Sequence, residues 1–352
     1  MKPLDPVAVA LDRRRPFRVL PTLQPALIAY EHAIAETGDV HALRRLRSYR
    51  AMVGRAIEKG SITSATWHRE PSGRIRLDKP SLQQVANALR IHFAPSREGY
   101  AFFDADYKCA HLAIAAARSR DPTLLAIVGS GQDVYAEIAR VVLPTVPDRA
   151  LARKVAKVCA LALLNGGDTK TVSRLLATVV PLEVARAAAP LVFVGWWTSF
   201  PKLRAFRDAA KTADHERPAG QHVVQTLTGR SVSIDMSKRK GGWRTLLSIA
   251  WTSVESEAMD YVLERLHGTI GVFGGALVLP MYDGVLVEAP ERAAKSIQVR
   301  LTGLMKRAME ASGVPGVGVD VEMRSCWGEE KPAVAAATTG APLDPWGALP
   351  NP

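Results

Sequence analysis

Apolar residues recur along the chain in two registers, and the changes between them mark the elements. Helical spacing, with apolar positions three and four apart, runs over residues 27–59, dominates from about 133 to 212, and returns over 245–266 and 292–311. Strand-type alternation occupies 100–106, 277–281, 285–288 and 317–323, and a strand pair is expected over 223–234 with its turn at Thr228-Gly229. Residues 112–118 open a further helix, while 60–100 carry turn signals and short extended pieces. Strands scattered between long helical stretches predict an α+β fold in which an antiparallel sheet gathers distant strands. Both ends read as loose. Residues 1–22 mix proline with the triplet Arg13-Arg14-Arg15, and from Pro332 the chain reads PAVAAATTGAPLDPWGALPNP, rich in Pro and Ala and nearly uncharged.

Composition narrows the class. With 47 % hydrophobic residues in 352, the chain has core enough for one large domain or about two to three subdomains and is not of the disordered type. The apolar runs at 125–128 and 190–197 fall far short of the roughly 18 residues a membrane helix needs. The charged N-terminus has no apolar core behind it, so no secretory leader is expected. Cys109, Cys159 and Cys326 are too few and too scattered for a disulfide framework or a zinc site, which fits a reducing, cytoplasmic setting. The balance of 46 Lys and Arg against 34 Asp and Glu leaves a net charge of +12. Either the partner is an anion or the charge serves solubility, and the positions of the bases must decide.

Three constellations could carry chemistry. In Phe102-Phe103-Asp104-Ala105-Asp106-Tyr107 the alternation of a strand puts Asp104 and Asp106 on one face, where they either cap the following helix or bind a cation. In Tyr282-Asp283-Gly284, Asp-Gly between alternating apolar runs is a strong hairpin signal; Asp283 is then a turn residue or a carboxylate presented on a rigid tip. Arg149, Arg153 and Lys157 share one helix face at a spacing of four, as a solvated basic stripe or a grip for an anion, before Gly166-Gly167 stops the helix. Carboxylates on two strands together with a cationic helix are what nucleotidyl transfer requires. Two divalent ions about 3.5–4 Å apart activate a hydroxyl and steady the leaving pyrophosphate, while bases neutralise the triphosphate.

Here the residues resemble a family, the family A DNA polymerases. Asp106-Tyr107, a helix, and then Gly131-Gln132-Asp133-Val134-Tyr135 is similar to that family's first palm motif and the segment after it. Arg153-x-x-x-Lys157 with Asn165-Gly166 resembles its fingers helix, and Tyr282-Asp283-Gly284 stands where the family has His-Asp-Glu on a hairpin. The run from Gly73-Arg74 to Gln83-Gln84 resembles the stretch that meets primer-template, Thr226-Leu227-Thr228-Gly229-Arg230 the fingers-to-palm hairpin, and Val321-Glu322-Met323 with Trp327 the closing strand. These motifs cover roughly residues 45–330 in the family's order.

The resemblance implies a right-hand polymerase fold with an antiparallel palm sheet, helical fingers and a reduced thumb. Its expected parts are a flexible N-terminus (1–22), thumb (23–72), palm (73–120 and 261–330), fingers and connecting helices (121–260) and a disordered tail (331–352). Asp106 and Asp283 would bind two Mg²⁺ ions, or Mn²⁺, with the Tyr107 carbonyl as a further ligand. Arg153 and Lys157 would hold the triphosphate, and His111, Tyr135, Leu161 and Asn165 would line the nucleotide. Arg74, Gln83, Arg230, Glu255 and Tyr282 would meet DNA. The implied activity is DNA-directed DNA synthesis on primer-template with nucleoside triphosphates, without a proofreading exonuclease, without a membrane, and with room for a processivity partner. The alternatives are a ribonucleotide-tolerant or primase-like polymerase, and a catalytically inactive nucleic-acid-binding replication factor.

Departures from the family's pattern bear on that choice. His111 and Gly284 stand at its glutamate positions, Leu161 at an aromatic, Asn165 at a tyrosine, Tyr135 at a histidine and Glu255 at a glutamine. The groups that shape the sugar pocket are therefore altered while both metal aspartates and both phosphate-binding bases are kept.

Overall fold

The computed structural model describes residues 5–37, 50, 54, 56–64, 66–79, 81–216, 220–238 and 242–328. In chain order the elements begin with α1 (Pro6–Asp12), β1 (Phe17–Val19), α2 (Leu23–Thr37), β2 (Ser61–Ile62), β3 (Thr66–Arg69), β4 (Ile75–Asp78), β5 (Phe93–Ala94) and β6 (Tyr100–Tyr107). Helices follow: α3 (Ala110–Ser119), α4 (Pro122–Gly129), α5 (Val134–Val142), α6 (Arg149–Leu164), α7 (Thr169–Leu176), α8 (Leu182–Ser199) and α9 (Pro201–Glu216). The chain then forms β7 (Gln221–Gln225), β8 (Ser231–Asp235), α10 (Trp243–Ile270), β9 (Ala276–Pro280), β10 (Gly284–Pro290), α11 (Ala294–Ala311) and β11 (Val319–Arg324). Two compact units result. The first takes the chain up to Lys108, Ser256–Ala308 and the residues from Val319; the second takes Cys109–Glu255 and Met309–Gly318.

The first unit is built on a four-stranded antiparallel sheet of order β11-β6-β10-β9. The strands come from distant parts of the sequence, as their scattered alternation predicts. Phe102, Asp104 and Asp106 of β6 lie on one face, and Phe103, Ala105 and Tyr107 on the other. On the second face the Tyr107 hydroxyl donates to the Met305 carbonyl of α11 at 2.8 Å, which anchors that helix to the sheet. A second, three-stranded sheet of order β2-β1-β5 adds the N-terminal segment.

Residues 1–22, expected to be loose, are ordered from Asp5 onward. Asp5 caps α1 by accepting from the Val7 N–H at 3.0 Å, and Pro6 opens the helix with its φ already set. Phe17 stacks on Trp327 at 5.1 Å and meets Phe93 and Phe102 edge-on at 5.5 and 5.6 Å. The arginine triplet does structural work: Arg14 donates to the Ser64 carbonyl, and Arg15 pairs at 2.9 Å with Glu288 of β10, which has no solvent-exposed surface. Ser96 completes the cage, donating to Glu288 from its N–H at 2.7 Å and its hydroxyl at 2.6 Å. The order arises because a buried carboxylate needs a cation and an aromatic cluster needs its fourth ring.

The expected helix over 27–59 is represented by α2 and by helical residues 56–59. Arg44, Arg45, Arg47 and Arg55, like the tail from residue 329, lie outside the described residues, and Arg50 pairs with Glu31 at 3.4 Å.

The second unit is mainly helical. Asp121, Asp133, Asp148 and Asp168 cap α4, α5, α6 and α7, each accepting from the N–H three residues on at 2.8–3.1 Å. Gly166 ends α6 with φ +79°, and a Cβ there would lie 2.2 Å from the Trp243 ring, so both conformation and space demand glycine. The predicted strand pair is β7–β8, closed by Thr226 and Arg230 backbone pairing at 2.8 Å. Among the described residues no helix is long and apolar enough to cross a membrane, and the three cysteines are free.

Candidate active site

In the first unit, Asp106 stands near the end of β6, in register with Gly284 of β10 on one side and Asp320 of β11 on the other. Asp283 forms the tip between β9 and β10, and the hairpin is closed by the Met281 N–H on the Gly284 carbonyl at 2.8 Å. The Tyr107 N–H donates to the Asp283 carbonyl at 3.2 Å, and the two carboxyl groups share a hydrogen bond. A Cβ on Gly284 would meet the Ala105 carbonyl oxygen at 2.3 Å and Asp106 Oδ1 at 3.1 Å. Glycine lets the tip approach the strand this closely. The cap position of α3 is Cys109, in the left-handed region at φ 55°, with no side-chain capping bond, so neither Asp104 nor Asp106 serves as that helix cap.

The surrounding charges are divided unevenly. Asp320 has Lys108 at 2.8 Å, and Glu322 holds Arg324, whose guanidinium also lies 3.8 Å from Asp104. Asp106 faces Asp283 instead. Its carboxyl is pushed up to about 8 by withdrawal from water, then by the charge of Asp283 and that of Asp104. Asp104 is also raised, chiefly by burial, with Arg324 opposing the shift. Among the described residues no group of three or more His, Cys, Asp or Glu has metal-binding geometry. Two hard oxygen donors brought this close nevertheless suit a divalent ion that keeps its waters and takes substrate oxygens for its remaining positions. The Tyr107 side chain belongs to the opposite face, so only its backbone is offered here.

A pH dependence follows. Asp106 holds its proton up to about pH 8 in the folded chain but releases it near its ordinary value of 3.8 when unfolded. The folded state therefore binds more protons across that window, and this group's contribution to stability declines as pH rises through it. A divalent cation bound between these acids would compete with that proton. Thermal unfolding with and without Mg²⁺ should show a larger upward shift in Tm at pH 8 than at pH 6, and Asp106→Asn should erase the difference. A cation effect independent of pH would contradict the charge assignment.

Beside this end of the sheet, the Arg74 guanidinium lies over the Tyr282 ring at 4.9 Å, in the loop of the β3–β4 hairpin. Gln83, read as a DNA contact, is buried instead. Its amide accepts from the Leu77 N–H at 3.0 Å and donates to the Ile75 and Pro280 carbonyls at 3.1 and 2.8 Å, tying β4 to β9.

In the second unit, α6 presents Arg149, Arg153, Lys157, Leu161 and Asn165 four residues apart along one side, with Leu161 left 52 % exposed. Asn165 donates to the Leu161 carbonyl at 2.9 Å and so finishes the helix. Arg153 reaches Asp133 through Nε at 2.9 Å and Nη2 at 2.6 Å. Tyr135 hydrogen-bonds Cys109, and burial raises both groups. His111 Nε2 meets Glu255 Oε2 at 2.7 Å. Glu255, also read as a DNA contact, is 1 % exposed, because a buried carboxylate has been matched with an imidazole. Arg230 likewise donates to the Ser253 carbonyl at 2.7 Å, bracing its hairpin on α10. Asp133 was named only within the Gly131–Tyr135 motif; its hold on Arg153, 20 positions away in sequence, had no signal in the sequence.

An antiparallel sheet with paired acids at the end of an inner strand, in one unit, and a helical second unit bearing a basic stripe are the parts of a right-hand polymerase fold. The model of DNA polymerase family A matches residues 41–329, and the chain belongs to that family. It is 26 % identical over 266 residues to the thermostable DNA polymerase I of Thermus caldophilus, covering 72 % of this chain and 30 % of the relative. Similarity extends to DNA polymerase I of Chloroflexus aurantiacus (25 % over 277 residues, 74 % and 28 % covered) and to DNA polymerase theta of Caenorhabditis elegans (24 % over 248 residues, 68 % and 14 % covered). The chain thus spans about 30 % of the length of the first of these relatives. In fold it is similar to the polymerase domain of Pol1 from M. smegmatis, solved with primer-template DNA and dNTP. The TM-score is 0.66 at 18 % identity, over 82 % of this chain and 52 % of that one.

Proposed function

We propose that the chain is a DNA-directed DNA polymerase that extends a primer by a two-metal mechanism. The observation that carries this reading is the juxtaposition of Asp106 and Asp283 across Gly284, two acids close enough to share a hydrogen bond. They would hold two Mg²⁺ ions, with the Tyr107 carbonyl as a further ligand; Mn²⁺ suits the same oxygens. When bound, such ions lower the proton affinity of a primer 3′-hydroxyl and stabilise the departing pyrophosphate. Arg153 and Lys157 bind the triphosphate, and positioning supplies much of the remaining rate. His111, Tyr135, Leu161 and Asn165 form the nucleotide's surroundings, while Arg74 and Tyr282 receive the primer end. In this reading residues 73–120 and 261–330 are palm, 121–260 fingers and 23–72 a reduced thumb. The partners are primer-template DNA and nucleoside triphosphates, in the cytoplasm.

Primer extension with dNTPs and then with NTPs tests it. Incorporation of dNTPs on a primed template is the expected result; duplex binding without extension would favour the inactive replication factor. One observation favours a ribonucleotide-tolerant variant of the same function: His111, at the family's glutamate position, is held by the buried Glu255. An imidazole there can donate to or accept from a 2′-hydroxyl. Wild type is expected to reject NTPs about tenfold or more less stringently than His111→Glu. Equal discrimination by the two proteins would remove His111 from the sugar pocket.

A further inference from the structure

We propose that Asp133 is a built-in competitor for the substrate's phosphates, occupying the guanidinium of Arg153 until a polyphosphate displaces it. The inference rests on the reading of Arg153 as a triphosphate ligand and concerns what that side chain does beforehand.

Both donors of the Arg153 fork converge on one oxygen, Asp133 Oδ2, at 2.9 and 2.6 Å. A phosphate oxygen would be held by the same two donors in the same way. The carboxylate is itself fixed. Its other oxygen, Oδ1, accepts from the Ala136 N–H at 2.8 Å as the cap of α5, so the acid cannot swing aside without uncapping the helix. Arg153 therefore moves and Asp133 stays.

The contact is weak enough to break. Both side chains are 43 % exposed, and exposed pairs contribute little net free energy. A protein whose competent form is only a fraction of the total shows an affinity reduced by that fraction. A surface pair of this kind implies a reduction of about two- to fivefold for any ligand that needs Arg153. A triphosphate overcomes it because Lys157, one turn further along α6, adds a second cation that Asp133 does not occupy in this contact. A rival role is positioning, with Asp133 holding Arg153 ready for the ligand, and it predicts the opposite sign.

Asp133→Asn separates the two, since asparagine caps a helix as well as aspartate but carries no charge. The probe is inorganic tripolyphosphate, titrated calorimetrically into the full chain, alongside the KM for dNTP in primer extension. Asp133→Asn is expected to bind tripolyphosphate about two- to fivefold more tightly and to lower KM by a similar factor with kcat little changed. In an Arg153→Gln background the same substitution should gain nothing. Unchanged or weaker binding by Asp133→Asn overturns the proposal, and so does a gain that persists without Arg153, which would mean general charge repulsion. If Arg153→Gln alone leaves tripolyphosphate affinity unaltered, the failure lies in the phosphate-binding reading. Asp133→Ser, another capping residue, guards against a folding artefact of the first variant.

Discussion

Alanine at Asp106 or at Asp283 is expected to lower primer extension by at least about a thousandfold while duplex binding persists. The two carboxyl groups share a hydrogen bond at the junction of β6 with the β9–β10 tip, and in the proposed mechanism each would be needed to hold the ions. A single remaining carboxylate would supply half the negative charge offered to the ions. The substitution also carries a stability signature. Asp106 is destabilised as an anion by burial and by Asp283, so its removal relieves repulsion, and the inactive Asp106→Ala should melt no lower than wild type at pH 8. A loss of extension accompanied by a large fall in Tm would point to misfolding. Extension near the wild-type rate in either variant would end the assignment of the acids.

Arg15→Ala is expected to destabilise the first unit by about 3 kcal/mol, the lower end of the range for breaking a buried ion pair. Glu288 is fully buried, and without Arg15 its charge would be left to the N–H and hydroxyl of Ser96 alone. The double replacement Arg15→Met with Glu288→Met should recover much of the loss, because a packed apolar pair avoids the desolvation that made the partner necessary. Arg50→Ala, which removes an exposed pair with Glu31, is the control and should change stability by well under 1 kcal/mol. Chemical unfolding followed by tryptophan fluorescence measures all three, Trp327 lying in the aromatic cluster that contains Phe17. Arg15→Ala with wild-type stability would mean that the N-terminal segment is not held through this pair.

Expectations from local pattern and findings from the fold divide along physical lines. Alternation is a property of neighbouring residues, and the strands at 100–106, 285–288 and 317–323 accordingly lie within one residue or two of β6, β10 and β11. The helix-capping aspartates act over three residues and are equally local. The Asp-Gly hairpin belongs with them, and so does the basic stripe of α6, fixed by a spacing of four along one helix. Their grouping into family A came from motif order, which the family match over 41–329 supports.

Contacts that depend on distant residues could not be read this way. The resemblance made Gln83 and Glu255 DNA contacts, but β4 and the Pro280 carbonyl close around the first, and the second, on α10, pairs with His111. Arg15 read as part of a loose basic arm because its partner, Glu288, is 273 positions away. Propensity, alternation and capping act within a few residues, so the elements, the carboxylates and the cations could be read along the chain. Which charges face water and which pair in the interior depended on packing, since burial of a charge is a property of everything packed around it.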